Sequence, residues 1–210
     1  MTSLTGRLTT AMFLAGALFA TPIARSLAQN PMPGMHHDMT GMNMKLPPVT
    51  IPHDAIYTEA DVRFMQGMIA HHAQAIYMSR MAAAHGASPR LLKFAQKIDQ
   101  SQQAEIRLMQ GWLHANHQFA TDTSSWRHMS MPGMLTAEQL TQLDGAKGKD
   151  FDELFLEFMI QHHEGALMMV KDLFATPLAA QDVDVSVFAN DVQTVQTAEI
   201  GTMQRMLNNL

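Results

Sequence analysis

The chain of 210 residues contains no cysteine, so neither disulfide bonds nor thiolate metal ligands are available to it. Aromatic residues make up only 7% of the sequence and charged residues only 16%. The formal net charge is −5 and the sequence has no basic cluster, which argues against nucleic acid or an anionic lipid surface as the main partner. Any soft metal ligand in this protein must therefore be a thioether or an imidazole.

Methionine and histidine are abundant instead, with 20 and 11 copies. Methionine normally enters protein cores as an occasional flexible gap-filler, so this excess needs an explanation. Thioether sulfur and neutral imidazole suit Cu(I), or its chemical mimic Ag(I), far better than Mg, Ca or Mn. The composition therefore favours a copper site.

The N-terminus has the features of a secretory signal. Arg7 precedes an apolar run over residues 8–20, and Ser26-Leu27-Ala28 places small residues for cleavage before Gln29. The run is shorter than the ~20 apolar residues of a membrane span, although an uncleaved anchor is the alternative. We expect removal of residues 1–28, a periplasmic or secreted product, and no membrane insertion after cleavage.

Residues 29–53 contain several Gly and Pro residues and no helical period, which predicts a disordered tail. The closely spaced thioethers and imidazoles of this tail are candidate copper ligands: Met32, Met35, His36, His37, Met39, Met42 and Met44. The alternative is a low-complexity linker that is rich in methionine for another reason.

One motif occurs twice, first as residues 68–72 (MIAHH) and again as residues 159–163 (MIQHH). Its surroundings recur in steps of 3, 4, 3, 4 and 3, at Asp61, Phe64, Met68, His71, Ala75 and Met78, and at Asp152, Phe155, Met159, His162, Ala166 and Met169. These steps follow one buried face of a helix. The pattern places His71 and His162 on the buried stripe, and His72 and His163 at its flank.

A second segment recurs with the same steps, at Ala95, Ile98, Gln102, Glu105, Met109 and Trp112, and at Ala189, Val192, Gln196, Glu199, Met203 and Met206. Its Gln and Glu are expensive to bury without partners. If the first two helices fold back at the turn over residues 86–89, counting outward brings His71 level with Gln102 and Met68 level with Glu105. Each hairpin would then enclose a polar, sulfur-rich patch.

The periodicity predicts helices near residues 58–85, 88–117, 136–143 and 149–174, and a last helix from about Asp182 or Val185 to the C-terminus. We therefore expect one all-α domain over residues 54–210, a four-helix bundle of two repeated hairpins (58–117 and 149–210) with a crossover connection. The crossover offers further candidate ligands, namely His128, Met129, Met131 and Met134. Alternatively, these side chains simply cover one end of the bundle.

Catalysis finds little support in the sequence. No Glu is followed three residues later by His, which a di-iron carboxylate enzyme needs, and we find no Gly-rich phosphate loop or nucleophile arrangement. We expect a protein that is not an enzyme. A buried His is itself often structural, and Glu105 or Gln102 could be a hydrogen-bond partner of His71.

The repeated motifs Phe-x3-Met-Ile-x-His-His-x2-Ala and Gln-x2-Glu-Ile-x2-Met-x2-Trp-Leu resemble the exported bacterial proteins grouped as domain of unknown function 305, over residues 54–210. The second copy departs from this pattern, with Met206 in the place of Trp112. The resemblance implies a ferritin-like helical bundle, and copper binding for metal tolerance as in some members. By position it implies these ligands: Met68, His71, His72, Met78, Met109, Met159, His162, His163, Met169 and Met203. Glu105 and Glu199 are weaker candidates.

The leading hypothesis is a periplasmic Cu(I)-binding protein, also able to take Ag(I), that serves metal sequestration, tolerance or transfer. Its expected partners are metal ions and another copper protein of the cell envelope. A metal-independent envelope interaction module with an adaptable Met-rich surface is the alternative. A small ferritin-like oxidase is a third, less favoured hypothesis.

Overall fold

A computed structural model describes residues 46–210. The predicted signal peptide and the tail ligands up to Met44 lie outside these residues. The helices are α1 Glu59–Ala84, α2 Pro89–Ala115, α3 Ala137–Gly145, α4 Gly148–Ala175 and α5 Val183–Leu207, with a 3-10 turn at Ser125–His128. No strand occurs in the part of the chain that is described, and the predicted all-α class is confirmed.

The helices begin where the sequence supplies capping side chains. Thr58 accepts a hydrogen bond from the backbone N–H of Asp61, whose carboxylate accepts in return from Thr58, which forms a capping box. Ser88 and Asp182 cap α2 and α5 through their side-chain oxygens, which accept hydrogen bonds from the backbone N–H groups of Leu91 and Val185. The predicted helix boundaries consequently agree with the observed ones to within a few residues. Within residues 46–210, no helix has the length and apolar character needed to cross a membrane.

The apolar core is divided into two clusters. Helix α1 packs against α2 and α4, and α4 packs against α5, whereas α2 and α5 approach each other less closely. The first cluster joins the N-terminal halves of α1 and α5 to the C-terminal halves of α2 and α4, and the second cluster joins the opposite halves. Neighbouring helices are therefore antiparallel. The four histidines of the repeated motif lie on α1 and α4 where one cluster gives way to the other.

Residues 46–53 form no helix but are attached to the helical core. Leu46, Val49 and Ile51 pack against the first cluster. Arg63 donates a hydrogen bond to the carbonyl of Pro47 at 3.1 Å, and Gln118 donates to the carbonyl of Thr50 at 2.9 Å. The packed chain thus starts upstream of the predicted domain start at residue 54.

The crossover loop lies across the side of the core formed by α1 and α4. Gln74 of α1 binds the backbone of Leu135 twice, through its amide nitrogen at 3.1 Å and its amide oxygen at 2.8 Å. On α4, a Cβ atom at Gly165 would overlap the backbone of Pro132 and Gly133, so only glycine permits this approach. The loop therefore closes this side of the core at the level of the histidines.

Candidate metal centre

Four histidines meet in one buried layer, which we call the histidine layer: His71 and His72 from α1, and His162 and His163 from α4. The rings of His71 and His162 lie with their centroids 3.9 Å apart and their planes inclined by 44°. None of the four is more than 1% exposed. The predicted flank position of His72 and His163 is wrong, because other helices and the crossover loop cover α1 and α4 on both sides.

The second histidine of each motif is paired with a glutamate. His72 Nε2 lies 2.6 Å from Glu105 Oε2, and His163 Nε2 lies 2.8 Å from Glu199 Oε2. An ionised carboxylate only accepts hydrogen bonds, so the proton is assigned to Nε2 and the lone pair to Nδ1. His71 Nε2 likewise donates to the carbonyl oxygen of Pro132 at 3.0 Å. Three of the four rings thus have the same tautomer, with Nδ1 free.

The pairing differs from the predicted register by one helical turn. We expected Glu105 level with Met68, and His71 level with Gln102, so that paired residue numbers sum to 173 (68 + 105). The observed partner of Glu105 is His72, with a sum of 177 (72 + 105). Side chains on a helix lean toward its N-terminus, so in an antiparallel pair the two sets of side chains lean in opposite directions. Two side chains whose tips meet therefore belong to residues whose backbones are offset along the helix axis.

The layer contains an unusual concentration of buried polar atoms without a hydrogen-bond partner. They are Nδ1 of His71, His72 and His163, both ring nitrogens of His162, and Oε1 of Gln102 and Gln196. Buried polar atoms are normally paired, because each unpaired one costs roughly 1–3 kcal/mol. A neutral imidazole presents one lone pair, so each ring, His162 included, offers one nitrogen to a cation, and the amide oxygens of Gln102 and Gln196 offer lone pairs as well.

The electrostatics keep the central pair neutral. Burial lowers the pKa of His71 to about 3; a proton on His72 or His163 would lower it further, and the hydrogen bond to Pro132 opposes the shift. Burial and the neighbouring histidines also lower the pKa of His162 well below its ordinary value. Since metals bind the neutral imidazole, protons compete only weakly for these nitrogens near neutral pH.

Glu199 is held ionised. Burial alone would raise the pKa of Glu199, but the hydrogen bond from His163 and the nearby Lys97 lower the pKa by more, so the net pKa is below its ordinary value. Lys97 Nζ lies 3.4 Å from Glu199 Oε1, an ion pair rather than a well-directed hydrogen bond. The layer thus contains a permanent carboxylate next to His163.

The six methionines of the predicted ligand set are all buried, but the structure groups them across the two copies. The first cluster contains Met68, Met109 and Met169, and the second contains Met78, Met159 and Met203. Met68 and Met78 are separated by ten residues, or ~15 Å along α1, and cannot bind one ion together. Each side of the histidine layer therefore has its own group of three thioethers.

The remaining predicted ligands in the crossover differ in their surroundings. Met129 and Met131 are buried, and they and the half-buried Met134 pack with the first cluster. His128 is exposed. The alternative interpretation expected these methionines at one end of the bundle, but they pack on the side of the core, in the cluster that contains Met68.

The donor set decides which metals the centre fits. Among residues 46–210, no three His, Asp or Glu side chains come together in a group that could hold a metal ion. A hard oxygen-rich site or a di-iron carboxylate centre therefore has no ligand set in this region. Imidazole nitrogens between two thioether clusters fit a soft monovalent ion such as Cu(I) or Ag(I).

Sequence reasoning did not identify three participants in this centre. They are the carbonyl of Pro132, Gly165, which admits the loop, and Lys97 beside Glu199. Gly165 could have been found, because the 91-residue offset of the first motif (162 − 71) aligns it with Gln74, and this exchange of Gln for Gly departs from the repeat. No sequence pattern marks the carbonyl of Pro132 or Lys97 as part of the centre, because every residue has a carbonyl and lysines are common on exposed helix faces.

The chain is similar to a known protein family and to several solved structures. The chain matches the family described as domain of unknown function (DUF305) over residues 61–207. Solved structures of DUF305 proteins from Streptomyces coelicolor and Deinococcus radiodurans are similar, at 27% and 26% identity. Both have a TM-score of 0.63, and the matches cover 71% and 73% of this chain and 93% and 99% of theirs.

CopM, solved in its Cu(I)-bound form, is 29% identical over 71% of this chain and 96% of its own, with a TM-score of 0.57. CopM structures with Cu(II) and silver are also similar. No curated protein matches the chain. The match over residues 61–207 shows that the chain belongs to the DUF305 family.

Proposed function

We propose that this protein is exported and binds Cu(I) in the histidine layer, for metal sequestration, tolerance or transfer, and that Ag(I) binds in its place. One observation carries the proposal: buried imidazole nitrogens without partners, with His71 and His162 held neutral, lie between two clusters that each contain three thioethers of the predicted ligand set. Such an arrangement is costly as a purely structural core and favourable as a soft-ion site. The copper-bound and silver-bound structures of CopM support the same assignment.

We further propose that the four long helices form a ferritin-like bundle of two duplicated hairpins joined by the crossover. The recurrence of the His–Glu pair supports this, since His72–Glu105 and His163–Glu199 occupy equivalent positions in the two sequence copies. The antiparallel packing of α1 with α2, and of α4 with α5, supports it as well.

In this proposal no more than two ring nitrogens of the layer bind one ion, and thioethers from the adjacent clusters complete its coordination. Glu105 and Glu199 act indirectly, because each holds Nε2–H of its histidine and so directs Nδ1 toward the ion. The exclusion of water by the apolar clusters protects Cu(I) and the thioethers from oxidation. The tail ligands between Met32 and Met44 would capture ions or transfer them. We assign no catalytic residue.

Conservative substitutions test the site without emptying the core. Replacing Met68, Met109 and Met169 by Leu retains the apolar volume and removes three thioethers. The matched control replaces Met65, Met81 and Met206, which are equally buried but lie outside the proposed set. We expect the first variant to lose bound Cu(I) in competition with bicinchoninate and the control to retain it. Equal copper retention by both variants would refute the assignment of Met68, Met109 and Met169 as ligands.

A second pair of variants separates the layer from the tail. Substitution of His71, His72, His162 and His163 by Ala removes the layer ligands, and substitution of Met32, Met35, Met39, Met42 and Met44 by Ser removes the tail thioethers. We expect tight copper binding to persist in the tail variant alone, with an unchanged helical spectrum. Loss of copper only in the tail variant would make the layer structural, and copper-independent binding to an envelope partner would favour the interaction module.

A further inference from the structure

The two His–Glu pairs of the layer differ in their access to solvent. The Glu199 side chain is 4% exposed, whereas that of Glu105 is 21% exposed. Lys97, itself 64% exposed, places Nζ 3.4 Å from Glu199 Oε1 and so covers this carboxylate from the solvent side. No Lys or Arg among residues 46–210 lies within 4.0 Å of the Glu105 carboxylate. Of the two ends of the layer, the Glu105 end is therefore the more exposed one and has no paired cation within residues 46–210.

The register of α2 against α5 identifies what lies opposite Glu105. These helices are antiparallel, so residues at one level have numbers with a nearly constant sum. Lys97 and Glu199 sum to 296 (97 + 199), and the Trp112–Asp182 hydrogen bond gives 294 (112 + 182). Glu105 is therefore level with Asp191 (105 + 191 = 296). A second carboxylate stands where the other end has a lysine.

A groove between α2 and α5 reaches the Asp191 side of this level, although Glu105 itself is not one of its lining residues. Its cavity has a volume of about 700 Å³, and Met109 of the proposed ligand set lines it together with Met65. Asp191 lies in its wall, with Asp182 and Asp184 nearby and Arg107 as the one basic lining residue. The opposite side of the layer is closed by the crossover loop against Gly165. The groove is thus the acidic approach to a thioether of the centre.

We propose that Cu(I) enters and leaves the histidine layer through this groove at the Glu105–Asp191 end, and that Lys97 closes the Glu199 end. The proposal rests on the copper-binding function proposed above and adds the route of exchange. An acidic cleft with apolar walls concentrates cations and speeds their association, whereas an ammonium group repels a monovalent cation and must move before it can pass. The route therefore affects rates and leaves the equilibrium affinity unchanged.

Charge substitutions in the full mature protein test the route. Asp191→Lys places a lysine level with Glu105, and Lys97→Ala removes the existing one. The control Glu153→Lys makes the same change of net charge at an exposed site on α4, outside the groove. Release of Cu(I) into excess bicinchoninate gives the dissociation rate, and competition with the same chelator gives Kd, so their ratio gives the uptake rate.

We expect Asp191→Lys to slow uptake and release together by about tenfold with Kd unchanged, and Lys97→Ala to speed both. Glu153→Lys should behave as the wild type. Tight copper binding with wild-type rates in Asp191→Lys would overturn the route alone, as would a change in Kd that accounts for the whole change in release. Absence of tight copper binding in the wild type would overturn the proposed function and the route with it.

Discussion

His71 and His162 are 91 residues apart in the chain, yet their rings are in contact in the interior of the domain, with centroids 3.9 Å apart and planes inclined by 44°. Two protonated rings could not remain at this distance in a buried site, because like charges repel strongly where water is excluded. The contact therefore requires at least one neutral ring, and burial lowers the pKa of both rings and so favours the neutral form of each. It also brings the two sequence motifs into one centre and not into two separate hairpin sites.

The stability of the metal-free protein should fall as the pH is lowered through the ordinary range of histidine. The folded pKa of His71 is about 3 and that of His162 is also lowered, so below about pH 6.5 the unfolded chain binds protons that the folded chain does not. Each histidine should cost up to about 1.4 kcal/mol per pH unit. Urea unfolding between about pH 7.5 and about pH 5.5 measures this slope. A double substitution of His71 and His162 by Gln should flatten it, and an equally steep slope in that variant would contradict the assignment.

Gly165→Ala should destabilise the protein by about 2 kcal/mol or more, because the added methyl group would overlap the backbone of Pro132 and Gly133. The loop would have to retreat, and His71 would lose its hydrogen bond to Pro132. Gly111→Ala is the matched control, since no neighbouring atom lies within 4 Å of the place its methyl group would take, and alanine favours a helix by up to about 1 kcal/mol. Thermal unfolding that shows the same change in both variants would contradict the close approach.

Glu199→Gln and Glu105→Gln should each weaken Cu(I) binding by about 10–100-fold. An amide can donate as well as accept, so it no longer requires the proton on Nε2 of its histidine. Imidazole ¹⁵N shifts of the metal-free variants should show mixed tautomers at His163 and His72, respectively. Glu157→Gln, at an exposed site on α4, is the control. Wild-type affinity with a single unchanged tautomer would show that the glutamates do not position the rings.

His85 is a buried histidine that should not matter for copper. Its Nδ1 lies 2.8 Å from the carbonyl oxygen of Met81 and its Nε2 3.0 Å from that of Asp144, so neither nitrogen is free for a metal. His85→Ala should cost about 2–4 kcal/mol in the free energy of unfolding, because it removes contacts between α1 and α3. Copper stoichiometry should be unchanged. The exposed His114→Ala is the control, and copper loss in His85→Ala without destabilisation would contradict this division of roles.

The repeated motif predicted both the helices and the residues of the centre, since a spacing of three and four residues identifies a buried helix face without any tertiary information. It failed at His72 and His163, which were expected at the flank of the stripe. A single-helix period assumes one covered face, whereas α1 and α4 are covered by two neighbouring helices and by the crossover loop. The hairpin register failed for a related reason, because counting from the turn follows backbones and the contacts are made by leaning side chains.

The amino-acid sequence by itself determined the all-α class, the helix ends and the soft character of the donors, because capping residues, periodicity and the absence of cysteine act locally or through composition. Only the tertiary structure decided which donors share a site. The antiparallel packing of α1 on α4 brought His71 against His162. It also placed Met169 of the second copy with the methionines of the first, and Met78 of the first copy with those of the second. Those relationships depend on how helices distant in the chain pack, and on one glycine that lets the crossover loop reach the layer. The spacing of residues within a motif specifies neither the packing nor the approach of the loop.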